Sequence, residues 1–175
     1  MMRKNQRTNN ADAMAVVKAT YTKSRGGAKA AIRYIQHRKD REGGKVTREL
    51  YGATGVIKRQ DAYQMIDDAE KGTVFFRFVI SPDQQTEDTT KDLHLEKITT
   101  QTMLALEEQL DRDVPFVAAI HDDHTDLRHV HLIACVKGRL GTTHFQTMRE
   151  RATDEAALQR QERDLAREQQ QEGGQ

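Results

Sequence analysis

The chain has 175 residues, 36% of them hydrophobic and 31% charged, with no Trp and five Phe, which suits one domain of ordinary size and leaves little room for two cores. Its longest apolar runs, 74–80 (interrupted by Arg77) and 114–120, are too short for a membrane span of roughly 20 residues. Residues 1–10 are polar and basic, unlike a secretory leader, and the single Cys135 excludes an intrachain disulfide framework or a multi-cysteine zinc site, so the expectation is a cytoplasmic protein. The net charge of +1 hides an asymmetry: residues 1–48 hold 13 Lys/Arg against three acids, while the remainder holds 15 against 24. A basic first quarter on an acidic body is the electrostatic footprint of a polyanion-binding protein, with nucleic acid the first candidate.

In chain order, residues 1–12 are polar, lack periodicity and read as a disordered basic N-terminus. Residues 15–21, rich in Val, Thr and Tyr, read as a strand that Ser24-Arg25-Gly26-Gly27 breaks. Residues 28–38 read as a helix with Ala31, Ile32, Tyr34 and Ile35 on one broad stripe. A charged turn (40–44), a loop or short hairpin (46–56) and a helix over 59–70 ended by Gly72 follow. Residues 73–80 form a strong strand stopped by Ser81-Pro82, and 91–110 the longest helix of the body. Strands at 116–121 and 129–136 are joined by a polar turn. From Met148 the composition shifts to Glu, Gln, Arg and Ala, the signature of a solvated helix fraying into a Gln/Gly tail. The expected architecture is an α+β domain over 13–147 with a mainly antiparallel sheet, helices packed on it, and a polar C-terminal helix and tail over 148–175.

Four histidines fall within eleven residues: His121, His124, His129 and His131. Strand side chains alternate faces, so His129 and His131 point one way while Val130 and Leu132 point into the other layer. His121 ends the preceding strand, and an antiparallel hairpin brings it beside that pair. Three imidazoles with coordination positions left open are the layout of a catalytic metal site rather than a closed structural one. His124 sits in the turn as a solvated residue. Asp122, Asp123 and Asp126 either hold a ligating imidazole from behind or form the turn, the latter being the simpler role for Asp126.

His121…His129-Val130-His131 on paired strands resembles the histidine–hydrophobic–histidine motif of the HUH single-strand endonucleases. The upstream Arg25-Gly-Gly-Ala-Lys-Ala-Ala-Ile-Arg-Tyr-Ile segment is similar to the tyrosine motif of MobA-type mobilisation relaxases. The resemblance covers roughly residues 16–139; relaxases usually continue into a long C-terminal region, whereas this sequence stops at Gln175. It implies an HUH-like fold and a metal-dependent nick in single-stranded DNA at an origin of transfer, leaving a 5′-phosphotyrosine and a free 3′-hydroxyl. It further implies Mg²⁺ or Mn²⁺ as cofactor and, as partners, accessory mobilisation proteins and a secretion-system coupling protein. No ATP is required, and the sequence has no P-loop pattern.

A tyrosine hydroxyl is a poor nucleophile unless its proton is removed or the phosphorus is activated. Of the four tyrosines, Tyr34 matches the motif and is flanked by Lys29, Arg33 and Arg38; Tyr21 is the alternative, and Tyr51 and Tyr63 read as structural, Tyr51 in a loop within reach of DNA. Lys18, Lys23, Arg25, Lys29, Arg33, Arg38 and Arg41 are the candidate phosphate contacts. Competing readings are a replication initiator or transposase of the same superfamily, a catalytically silent DNA-binding module, and, last, a small-substrate metallohydrolase.

Overall fold

The computed structural model describes residues 15–123 and 126–174. The polar N-terminus expected to be disordered, with its cations Arg3, Lys4 and Arg7, lies outside these residues, as does His124. The elements run β1 (Val16–Thr22), α1 (Arg25–His37), β2 (Leu50–Gly52), β3 (Gly55–Ile57), α2 (Arg59–Asp67), β4 (Thr73–Ser81), α3 (Leu95–Leu110), β5 (Phe116–His121), β6 (His129–Lys137) and α4 (Thr142–Glu172). The six strands form one antiparallel sheet in the order β1-β4-β6-β5-β2-β3, which establishes the α+β class.

Strand alternation divides the apolar residues between two layers. Phe76, Phe78 and Ile80 of β4, Val130, Leu132, Ala134 and Val136 of β6, and Phe116 and Ala118 of β5 face α3 and α4. Phe75 of β4, Ile133 and Cys135 of β6, and Val117 and Ala119 of β5 face α1 and α2, meeting Ala28, Ile32, Ile35, Ala62 and Ile66. The register pairs His121 with His129 and Ala119 with His131, so all three histidines lie on the α1 side. There they continue rows of core residues to the end of the sheet. Among the described residues, no helix is long and apolar enough to cross a membrane.

Three helix starts differ from the sequence expectation. Helix α1 starts at Arg25, because Ser24 caps it by accepting from the Gly27 amide at 3.0 Å. Gly26 and Gly27 therefore form its first turn instead of a break. A Cβ at Gly27 would stand 3.0 Å from Thr22 Oγ1, so the tight strand-to-helix joint needs the missing side chain. Helix α3 starts at Leu95 instead of Lys91. Asp83 accepts from the amides of Gln85 and Thr86, and Arg128 pairs with the buried Asp88 at 3.2 Å, which organises the preceding segment as a loop. Helix α4 starts at Thr142, after Gly138 at φ 100°, and its first half is not a solvated element: Met148, Ala152 and Ala156 are fully buried in the main core. Beyond Gln159 it presents Leu165 and charged residues to solvent.

Candidate metal centre and its tyrosine

The hairpin of β5 and β6 brings one ligand nitrogen from each of His121, His129 and His131 within 4.8 Å of one another. His121 is fully buried, His131 nearly so and His129 half-buried. The hydrogen bonds assign the tautomers, since a backbone carbonyl only accepts and the imidazole facing it must donate. His121 Nε2 lies 2.8 Å from the carbonyl of Ile35 in α1, which leaves Nδ1 as its lone-pair nitrogen. His129 Nδ1 lies 2.8 Å from the Leu127 carbonyl, which makes Nε2 its lone-pair nitrogen. That Nε2 is 3.1 Å from His131 Nε2. Donors around a four-coordinate ion with bonds of about 2.1 Å stand roughly 3.4 Å apart, against 3.1 Å for the His129–His131 pair and up to 4.8 Å across the group. An ion held here would need the lone pairs of both nitrogens, so its binding would be coupled to proton movement. The group is thus able to hold a metal ion.

Three contacts fasten α1 and its exit to this hairpin. The His121 bond reaches the Ile35 carbonyl. The Arg41 amide donates to the Asp123 carbonyl at 3.2 Å. The buried Arg48 guanidinium pairs with the Asp123 carboxylate and reaches the Ile35 carbonyl at 3.4 Å. Tyr34 precedes Ile35 and is 41% exposed beside the site. Its hydroxyl accepts from Arg38 Nη1 at 2.5 Å. The Arg77 guanidinium lies over its ring, 4.6 Å from the centroid, and Arg77 Nη2 stands 3.5 Å from His131 Nδ1, the outer limit of a hydrogen bond. Tyrosine and histidine cluster thus share one site, linked by an arginine that the sequence reading left unassigned. Its signal was the lone charge inside the apolar strand 73–81.

The alternative, Tyr21, pairs with Phe76 in the sheet and packs on its ring at 5.7 Å, so it projects from the face opposite the histidines. Tyr51 is not in a DNA-accessible loop. It is buried in β2 with its hydroxyl 3.1 Å from Thr99 Oγ1, and burial pushes the phenol well above its usual range. Because the Thr99 hydroxyl donates to the Leu95 carbonyl at 2.8 Å, Tyr51 is the donor of the pair. Tyr63 packs against the second core under Lys29. The Cys135 thiol is pushed up to about 11 by burial, as befits a core residue.

The predicted phosphate contacts separate into two groups. Lys18, Lys23 and Arg33 are exposed, and none of them enters an ion pair among the described residues. Arg25 instead caps α2, donating to the carbonyls of Ile66 (3.3 Å) and Ala69 (2.6 Å). Lys29 pairs with Asp67 at 2.7 Å and Arg41 with Asp126 at 3.1 Å, while Arg38 is bound to Tyr34. Of the three aspartates, Asp122 is exposed, Asp126 is an exposed partner of Arg41 that holds its carboxyl below the usual range, and Asp123 pairs with Arg48.

Compared with known protein families, with characterised proteins and with solved structures, the chain matches none.

Proposed function

We propose that the protein is a metal-dependent relaxase that nicks single-stranded DNA by attack of Tyr34. The observation that carries this reading is the placement of Tyr34 beside the histidine cluster, with Arg77 touching both its ring and His131. A tyrosine, a three-imidazole group and a guanidinium that contacts both are the parts that phosphodiester transesterification requires, and the basic N-terminal quarter would supply attraction for the strand. In the reaction the Tyr34 hydroxyl oxygen bonds to phosphorus and gives up its proton. The bond from phosphorus to the 3′-oxygen breaks, and that oxygen leaves as a 3′-hydroxyl after taking a proton. The 5′-phosphate stays on tyrosine, and the number of phosphoester bonds is conserved, so no nucleotide cofactor is consumed.

The ion, when bound, polarises the non-bridging oxygens of the scissile phosphate. An all-imidazole donor set suits Mn²⁺ better than Mg²⁺, which prefers oxygen ligands and keeps its waters. His121 and His129 are oriented for the ion by the carbonyls of Ile35 and Leu127, and Arg38 holds the phenol oxygen in place. An HUH-like fold, an origin of transfer as target, and mobilisation and coupling proteins as partners complete this reading. Incubating the protein with end-labelled single-stranded origin DNA and Mn²⁺ tests it. A band that survives denaturation and protease-sensitive retardation on the gel is expected, and it should vanish with chelator. Metal-dependent DNA binding without any covalent band would favour a silent binding module instead.

A further inference from the structure

Arg77 lies mid-strand in β4, half-buried, flanked by the buried Phe76 and Phe78, and its register partners are Thr20 of β1 and Ile133 of β6. A cation in such a position is costly unless a partner meets it. The buried Arg48 and the half-buried Arg128 have one: Arg48 pairs with Asp123 and Arg128 with Asp88. No ion pair among the described residues engages Arg77. Among the described residues it meets the Tyr34 ring and His131 Nδ1. It also lines an open cleft of about 620 Å³ whose other walls are Lys18, Ala19, Thr20, Val79 and His131. A second, smaller cleft adjoins it across Thr20 and Arg77 and continues toward Gly27 at the start of α1.

We infer that Arg77 is the phosphate-binding cation of this site, taking a non-bridging oxygen of the same phosphate that meets an ion held by His121, His129 and His131. An ion at the histidines would bring positive charge close to a half-buried guanidinium, and an anion between them would turn that repulsion into two attractions. The planar fork suits phosphate, and its contact with the Tyr34 ring places it beside the tyrosine that would attack.

This inference rests on the phosphoryl-transfer reading above, but its test does not need turnover. Inorganic phosphate is titrated into Mn²⁺-loaded protein, and paramagnetic broadening of its ³¹P resonance reports phosphate near the ion. The wild type should broaden it above free Mn²⁺. Arg77→Gln should weaken phosphate affinity about tenfold or more, Arg77→Lys should recover part of the loss, and Tyr21→Phe, on the opposite face of the sheet, should leave it within about twofold. Mn²⁺ affinity, read by electron paramagnetic resonance, should not fall in Arg77→Gln, which shows that the site is still folded. Equal phosphate affinity in wild type and Arg77→Gln, or no broadening by the wild type, overturns the assignment. If that dependence is found while the wild type forms no covalent band with DNA, the relaxase reading falls and the Arg77 site stands.

Discussion

Asp123→Asn removes one charge from a pair that joins the histidine hairpin to the segment following α1, and changes the side chain's shape very little. The side chains of Arg48 and Asp123 are 5% and 27% exposed, so most of the desolvation cost of the guanidinium is met by this carboxylate. Its two carbonyl contacts, at 3.4 and 3.5 Å, are too long to take over. Breaking a buried pair by removing one member costs about 3–5 kcal/mol, and partial exposure of Asp123 brings the expectation to about 2–3 kcal/mol. In a domain of this size that lowers the melting temperature by roughly 5–10 °C. Calorimetry at neutral pH on Asp123→Asn, Arg48→Met and the double variant forms the cycle. The double variant should be less destabilised than the sum of the singles, because it leaves no uncompensated charge. A loss below about 0.5 kcal/mol in Asp123→Asn would refute the idea that this pair fastens the hairpin to the helix carrying Tyr34.

Glu87 is buried, and burial, with Asp83 and Asp88 adding to it, raises its carboxyl to about 7. The folded state therefore holds the proton more tightly than the unfolded chain, and the stability this contributes is present below about pH 4.5 and lost as pH rises through 7. Glu87→Gln should melt several degrees above the wild type at pH 8 and near it at pH 5; equal melting at pH 8 would contradict this. Tyr51→Phe should cost about 1 kcal/mol in urea unfolding, by loss of the bond to Thr99, and leave DNA cleavage intact. His129→Ala should abolish the rise in melting temperature that Mn²⁺ produces in the wild type, and a retained rise would place the ion elsewhere. Single-strand affinity should fall with salt by roughly 0.7 log units per log unit for each phosphate contacted, and a flat dependence would remove the exposed Lys18, Lys23 and Arg33 from the interface.

The histidine group was legible in the sequence because strand alternation with Val130 and Leu132 fixes the shared face of His129 and His131, and the short turn fixes His121 opposite them. The same alternation groups Tyr21 with Val17 and Ala19, away from Lys18 and Thr20. Which face the histidines use, however, depends on pairing across β1, β4 and β6, and no local pattern carries that register. The contact of Arg77 with Tyr34 and His131 was hidden for the same reason, since it joins three segments far apart in the chain. The intramolecular partners of the expected phosphate-contacting cations were also hidden, since Arg25 and Lys29 meet α2 and Arg41 meets Asp126 across long stretches of chain. The start of α4 was missed because its first turn, with His144 accepting from the Gly141 amide at 2.8 Å, lacks the usual Ser, Thr or Asp cap before an apolar run.

Peptide mapping of the covalent product tests the central claim most directly. After reaction with single-stranded origin DNA and Mn²⁺, nuclease trimming and proteolysis, mass spectrometry should find a nucleotide remnant on the peptide containing Tyr34. Tyr34→Phe, which removes only the hydroxyl, should form no adduct while keeping its metal and DNA affinity, and Tyr21→Phe should react like the wild type. A remnant on Tyr21, or an adduct persisting in Tyr34→Phe, would contradict the assignment of Tyr34 as the nucleophile.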